Sequence, residues 1–272
     1  PAFFQNYLPD RDSPLRKQLA AGADVSEDAV GALLAFLGED LPGAIAVSTI
    51  NDADVDPEDV LEDLQDHEPL RDPPVHQDEP LHFSLAGMQL KYSVWRDEQG
   101  RFTVPVRGVG GRWLLKLSYS ERLGVPYNEH AMLTLARAVG ISVPEFMLVR
   151  WREVEGLPRE LDFSDSHALV IRRYDRAEDG VRIHQEDFAQ VFDILPSDKY
   201  PEGSPRGKNT EPVLSYASIG RVIWRVCGAD DFVEYVRRLV FIVLTGNADA
   251  HLKNWSLVYP DRLRPRLSPA YD

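Results

Sequence analysis

Asp249, His251, Lys253 and Asn254 fall within six residues of one another in the stretch TGNADAHLKNWSL, residues 245–257. The apolar run LVFIVLTG leads into them and a strand-like WSLVY follows. An acid five residues ahead of an amide, at the end of a buried helix, can hold a substrate hydroxyl with the carboxylate and a metal ion with the amide oxygen. A polar loop that only ends a helix explains the same residues. The choice depends on what else the chain supplies.

Further groups fall in order. Lys116 stands in WLLKLS, where a lysine in an apolar strand is costly unless it finds an anion or snorkels to water. Glu129, in the first turn of the next helical pattern, is its natural partner. A strand lysine paired with a helix glutamate positions the α/β-phosphates in protein kinases. Asp249 and Asn254 keep the spacing of the kinase catalytic loop. Asp272, in LSPAYD after the strand, is placed like the second metal-binding acid, and His251 and Lys253 are within reach of phosphate. In SLAGMQLK, residues 84–91, the small Ser84, Ala86 and Gly87 let main-chain N–H groups approach an anion, and Lys91 adds charge. That segment also reads as a plain turn before a strand. RGVGGRW is richer in glycine, but it leads straight into the next strand and reads as a hairpin turn.

The elements that must position these groups follow from periodicity. Residues 1–50 hold one helical pattern, SEDAVGALLAFLG, with Ser26 as cap and Gly38 as stop. Segment 51–80 carries twelve Asp or Glu, five prolines and one arginine, so it buries little and reads as a linker. QLKYSVW, RFTVPV, RWLLKLS, PEFMLVRW and HALVIRRY read as strands. YNEHAMLTLARAVG reads as a helix capped by Asn128, with Ala131, Met132, Leu135, Ala136 and Val139 at helical spacing and Gly140 at its end. QEDFAQVFDIL, YASIGRVIWRV and DDFVEYVRRLVFIVLTG read as helices. A sheet with one helix, then a helical half, makes an α+β protein of two lobes, with a cleft between them suited to a nucleotide.

Composition narrows the classes. The 272 residues are 43% hydrophobic and 27% charged, as in a globular protein with a real core. A net charge of −14 argues against binding nucleic acid unaided, since phosphate binding needs a cationic surface. The single Cys227 excludes an intrachain disulfide and a cysteine zinc site, suits a reducing cytoplasm and reads as a core residue. No apolar run is long enough to span a bilayer. His67 and His76 lie in the acidic loop and read as solvated, not as metal ligands.

FSLAGMQLK, WLLKLS, YNEHAMLTLARAVGISVPEFMLV, VIRRYDR, HQEDFAQVF, GNADAHLKNWSL and SPAYD together resemble the HipA-type toxin kinases, in sequence and in order. FFQNYLPD and LGEDLPGAI resemble that family's small N-terminal domain. The resemblance implies a two-lobed kinase-like fold: residues 1–77 as N-terminal domain and linker, 78–175 as sheet lobe and 176–272 as the start of the helical lobe. It implies a cytoplasmic serine/threonine protein kinase using ATP and magnesium, the toxin of a bacterial toxin–antitoxin pair. It also implies a DNA-binding HipB-type antitoxin, with DNA reached only through that complex, and a protein target such as an aminoacyl-tRNA synthetase. By position, Ala86, Gly87, Met88, Gln89, Leu90 and Lys91 would form the phosphate loop and Lys116, paired with Glu129, would hold the phosphates. Arg172, Arg173 and Tyr174 would line the adenine-side hinge. Asp249 would be the catalytic acid. His251, Leu252, Lys253, Asn254, Tyr271 and Asp272 would contact nucleotide, with Asn254 and Asp272 on the metal. Ser84 would be an autophosphorylation site. Gln89-Leu90-Lys91 departs from the family's more usual Gln-Glu-Lys. The family's chains extend beyond both ends of this one, so a fragment is expected. Two other readings remain open: a small-molecule phosphotransferase, and an inactive nucleotide-binding co-repressor.

Overall fold

The computed structural model describes residues 1–49 except 12 and 39, then 90–105, 110–118, 123–157, 163, 165–200 and 215–272. The acidic segment 51–80, residues 84–89 and the start of the RGVGGRW turn lie outside the described residues.

Three short helices form the N-terminal unit: α1 (Ala2–Gln5), α2 (Pro14–Gly22) and α3 (Val30–Leu37). Ser13 Oγ accepts from Arg16 N at 3.1 Å and Pro14 presets the first helical φ, a favourable start. Tyr7, Leu8, Leu19, Leu33, Leu37 and Leu41 close its core. Ser26 does not cap α3. Its hydroxyl accepts from Asp28 N and the helix begins only at Val30. Gly38 does end it, at φ 42°.

The sheet lobe comprises β1 (Leu90–Arg96), β2 (Phe102–Thr103), β3 (Trp113–Leu117), β4 (Phe146–Arg150) and β5 (His167–Arg172), antiparallel in the order β2-β1-β3-β5-β4. Side chains alternate faces along a strand. Tyr92, Val94, Trp113, Leu115, Leu117, Ala168 and Val170 therefore share one face and bury against Phe102, Trp151 and Phe163. Lys91, Lys116 and Leu169 sit in register on the other. Helix α4 (Val125–Ala138) covers that second face, packing Leu133 against Phe146, Leu169 and Ile171.

Helix α4 starts earlier than its polar residues suggest. Gly124, at φ 80°, is the cap position and Pro126 lies in the first turn. The Asn128 amide already bonds Gly124 O at 2.9 Å, so Asn128 is inside the helix and caps nothing. The buried stripe is Pro126, Leu133 and Ala136, in phase with Glu129, while Leu135 and Val139 are exposed.

The second half contains β6 (His184–Asp187), α5 (Phe188–Val191), α6 (Tyr216–Val226), α7 (Ala229–Thr245), β7 (Ser256–Tyr259) and β8 (Arg266–Leu267), with a small sheet ordered β6-β7-β8. The expected helix QEDFAQVFDIL splits in two, because Gln185, Glu186 and Asp187 pair with β7. Asp187 then caps α5: its Oδ1 accepts from Gln190 N, and its own N–H bonds Gln190 Oε1, both at 2.9 Å. Phe188, Ile219, Ile223, Tyr235, Leu252 and Trp255 form the core here, with Cys227 packed against it. Helix α7 is not wholly buried; Val233, Val236, Val240, Val243 and Leu244 face outward. Among the described residues no helix is long and apolar enough to cross a membrane.

Candidate active site

A cleft of about 990 Å³ opens between the sheet face that carries Lys91 and Lys116 and the loop that follows α7. Lys116 is 2% exposed. Its Nζ donates to Glu129 Oε1 at 2.5 Å and to Asp272 Oδ1 at 2.6 Å, while Lys91 Nζ stands 3.9 Å from Asp272 Oδ2. Strand β3, helix α4 and the segment after β8 thus meet at one ammonium. Burial disfavours the Lys116 charge, but Asp272 and Glu129 outweigh it and raise its pKa. Lys116, then Lys91, holds the Asp272 carboxyl well below the usual range. Lys91 has less support, and burial lowers its pKa. Lysine, glutamate and aspartate come together as the order of residues predicts, and Lys116 does not snorkel.

Gly246, at φ 67°, ends α7, and the loop beyond it folds on its own main chain. Asp249 N donates to Asn247 Oδ1 at 2.9 Å. Asn254 Nδ2 donates to Asp249 O at 3.0 Å, which fixes the amide so that its oxygen is the acceptor it presents. Asp249 Oδ1 accepts from Tyr200 Oη at 2.8 Å. His251 lines the cleft; burial, then Lys199, lowers its pKa to about 4. It is therefore a neutral imidazole at pH 7, and its buried Nδ1 has no hydrogen-bond partner among the described residues.

Two residues of this loop are engaged elsewhere. Leu252 is fully buried in the helical core and does not line the cleft. Lys253 Nζ donates to Asn6 O at 2.7 Å, Asn6 Oδ1 at 3.1 Å and Asp187 Oδ2 at 2.7 Å. Its ammonium ties the loop to the N-terminal unit and to the cap of α5.

At the hinge, Arg172 bonds Glu178 at 2.5 Å and lines the cleft with Tyr174. Tyr174 packs on Tyr271 with ring centroids 5.7 Å apart. Burial raises the pKa of both hydroxyls, so they stay protonated. The Tyr271 hydroxyl also contacts Ser256 Oγ and donates to Lys253 O at 3.0 Å. Arg173 turns the other way, into a buried cluster with Asp40, Ser93, Asp175 and Arg176. Asp175 also accepts from Gly43 N at 2.7 Å. A side chain at residue 43 would meet Gln185 N at 2.9 Å, and φ is 76°, so only glycine suits that contact.

Leu90 opens β1 opposite Leu117. Ser84, Ala86, Gly87, Met88 and Gln89 lie outside the described residues. Sequence reasoning did not single out Tyr200, Asn6, Asp40 or Asp175. The alternating charges of RRYDR hinted at the hinge cluster, but no local pattern marks Tyr200 or Asn6.

Magnesium prefers hard oxygen ligands, one or two carboxylates together with phosphates. The Asn254 amide oxygen and the Asp272 carboxylate fit that chemistry. Among the described residues no group of three or more His, Cys, Asp or Glu forms a metal cluster, so a metal here would draw its remaining ligands from phosphate and water.

Residues 83–272 match the family model of the HipA-like C-terminal domain, and residues 1–48 that of the HipA N-terminal domain. A Sinorhizobium fredii protein named "putative kinase" is 44% identical over 274 residues, covering 100% of this chain and 61% of that protein. The serine/threonine-protein kinase toxin HipA of Shewanella oneidensis is 25% identical over 290 residues, covering 99% of this chain and 61% of the toxin. The chain thus spans about three fifths of the length of these relatives. A solved complex of Shewanella oneidensis HipA, HipB and operator DNA contains a chain that superposes with a TM-score of 0.68 at 23% identity, covering 100% of this chain and 63% of that one.

Proposed function

This chain belongs to the HipA family, and from that premise we propose that it transfers the γ-phosphoryl group of ATP, with magnesium, to serine or threonine hydroxyls of a protein. The observation that carries this reading is the bonding of Lys116 to both Glu129 and Asp272 in the cleft that also holds Asp249 and Asn254. Phosphoryl transfer demands little covalent work from the protein; it demands positioning and charge. Lys116 and Lys91 supply cations for the phosphates, and Glu129 keeps Lys116 in place. Tyr174, with Arg172 beside it, borders the base-side part of the cleft, and Arg173 anchors this segment through Asp40 and Asp175. Asp249 orients the acceptor hydroxyl and takes its proton late in the transfer. Asn254 and Asp272 would hold magnesium, which when bound neutralises charge on the phosphate oxygens. The neutral His251 imidazole faces the nucleotide without adding charge.

The 175/176 division, supported by β5 ending at Arg172 and β6 starting at His184, and the 77/78 division, which lies outside the described residues, belong to the same proposal. So do the cytoplasmic location, autophosphorylation at Ser84, a HipB-type antitoxin that alone brings the protein to DNA, and a translation component such as an aminoacyl-tRNA synthetase as target. The test is radiolabelled ATP with the full-length protein, with the antitoxin absent. Label should appear on the protein or on a cytoplasmic protein, and Asp249→Asn should slow transfer by about 10²- to 10⁴-fold while ATP still binds. Label on a metabolite alone, or near-normal transfer by the variant, would refute the reading.

A further inference from the structure

Three hydrogen bonds fix the main chain of Asp249, from its N–H to Asn247 Oδ1 and from Asn254 Nδ2 and His251 N to its carbonyl. Another is made to the carboxylate itself. Tyr200 Oη donates to Oδ1 at 2.8 Å, from 49 residues away in the chain. The terminal torsion of an aspartate is broad and roughly two-fold, so a donor on one oxygen decides how the carboxylate plane lies.

Tyr200 reaches Asp249 from a fixed base. Its ring stands edge-on to His251, with centroids 5.3 Å apart and planes at 78°. The preceding residue, Lys199, is anchored on two sides. Its carbonyl accepts from Leu252 N at 2.9 Å, and its ammonium bonds Asp10 Oδ2 at 2.7 Å. That ammonium also lies 5.8 Å from the Tyr200 ring centroid. The N-terminal unit, through Asp10 and Lys199, therefore supports the tyrosine that touches the loop's carboxylate.

We propose that Tyr200 is a positioning residue for phosphoryl transfer: its hydroxyl sets the plane of the Asp249 carboxylate and so the direction in which the acceptor hydroxyl is held. This rests on the reading of Asp249 as the acid that orients the acceptor. A tyrosine hydroxyl on that carboxylate has a rival meaning, as an occupant of the acceptor's own place, and the two predict opposite signs. A positioning hydroxyl speeds transfer, whereas an occupying one slows it.

The experiment follows label from magnesium-ATP onto the full-length protein's own chain, for wild type, Tyr200→Phe and Asp249→Asn. The phenylalanine keeps the ring against His251 and removes only the hydroxyl. The rate at saturating ATP should fall about 10- to 100-fold, since small misplacements of a reacting group have effects of that order. The ATP concentration for half-maximal rate and the melting temperature should stay at their wild-type values, which a merely structural role would not allow. A wild-type rate in Tyr200→Phe, a faster one, or a loss that follows ATP affinity or melting temperature would overturn the assignment. If Asp249→Asn is slowed and Tyr200→Phe keeps the wild-type rate, this inference alone fails. If the wild type labels neither itself nor any other protein, the kinase reading fails and takes this inference with it.

Discussion

Replacing Asp175 by asparagine should cost the fold far more than the same change at Asp40, although both carboxylates face the same two arginines. The four charged groups are almost wholly inaccessible: Asp40 is 1% exposed, Asp175 4%, Arg173 7% and Arg176 2%. Either substitution leaves two guanidiniums facing one carboxylate, so the charge balance is the same in both variants. Hydrogen-bond geometry separates them. At Asp175, Oδ1 accepts from Arg173 Nε at 3.0 Å. Oδ2 accepts from Arg173 Nη2 and Arg176 Nη1, both at 2.9 Å, and from Gly43 N at 2.7 Å. Both oxygens face donors only, so an asparagine must turn its NH₂ against an N–H whichever way it flips. At Asp40, Oδ1 accepts from Arg173 Nη1 at 2.7 Å, and Oδ2 meets the Ser93 hydroxyl. An asparagine there keeps its oxygen on Arg173 and donates to Ser93 Oγ. Asp175→Asn should therefore destabilise by about 1–3 kcal/mol more than Asp40→Asn, the cost of leaving a buried donor unsatisfied. Urea unfolding with equal m-values measures both. ATP titration adds a second readout, because Tyr174 lies between Arg173 and Asp175. Equal losses, or an Asp175→Asn loss below about 1 kcal/mol, would refute the reasoning.

Lys116→Met should weaken ATP binding by at least about tenfold, as expected for the loss of a hydrogen bond to a charged group; calorimetry showing unchanged affinity together with unchanged turnover would return Lys116 to a structural role. The acid limb of stability should also be steep and assignable. Burial opposes the Asp175 charge, but Arg173 and Arg176 outweigh it and depress its pKa, so its contribution is full above about pH 3.9 and is lost as pH falls further. Burial raises the pKa of Asp40 despite Arg173 and Arg176, which gives the opposite sign: its ionisation, as pH rises, costs stability. Urea midpoints followed downward from pH 6 should fall less steeply in Asp175→Asn than in wild type, and parallel curves would contradict the assignment.

The groups that the loop brings to the cleft were legible because their signal is local. Five residues separate Asp249 from Asn254, and Lys116 betrays itself as a charge in an apolar strand. Strand alternation placed Lys91 and Lys116 on one face without further information. The phase of α4 was not legible in the same way. Its alanines and valine fit more than one stripe, and packing against Leu169 and Ile171 decided for the stripe that holds Leu133. The pattern QEDF was helical in type, yet pairing with β7 claimed its first residues, a tertiary contact overriding local preference. Ser26 and Asn128 have the right side chains for caps at the wrong places. Glycine and proline just upstream of Asn128 started its helix first.

The N-terminal unit was illegible in the sequence as part of the site. Its contacts with the rest span 132 residues from Gly43 to Asp175, 189 from Asp10 to Lys199 and 247 from Asn6 to Lys253. Pairs that far apart leave no periodicity in the sequence. Each of them also adds a partner to a largely buried group, and an ion buried without a partner is costly. Lys199 is the clearest case, since its largely buried ammonium bonds Asp10. Asn6 and Asp10 thus stabilise the loop that presents Asp249, while Asp40 and Gly43 stabilise the hinge that presents Tyr174. The two sides of the cleft are referred to one small helical unit, so the spacing within the loop sets which groups are available and the N-terminal unit sets where they point.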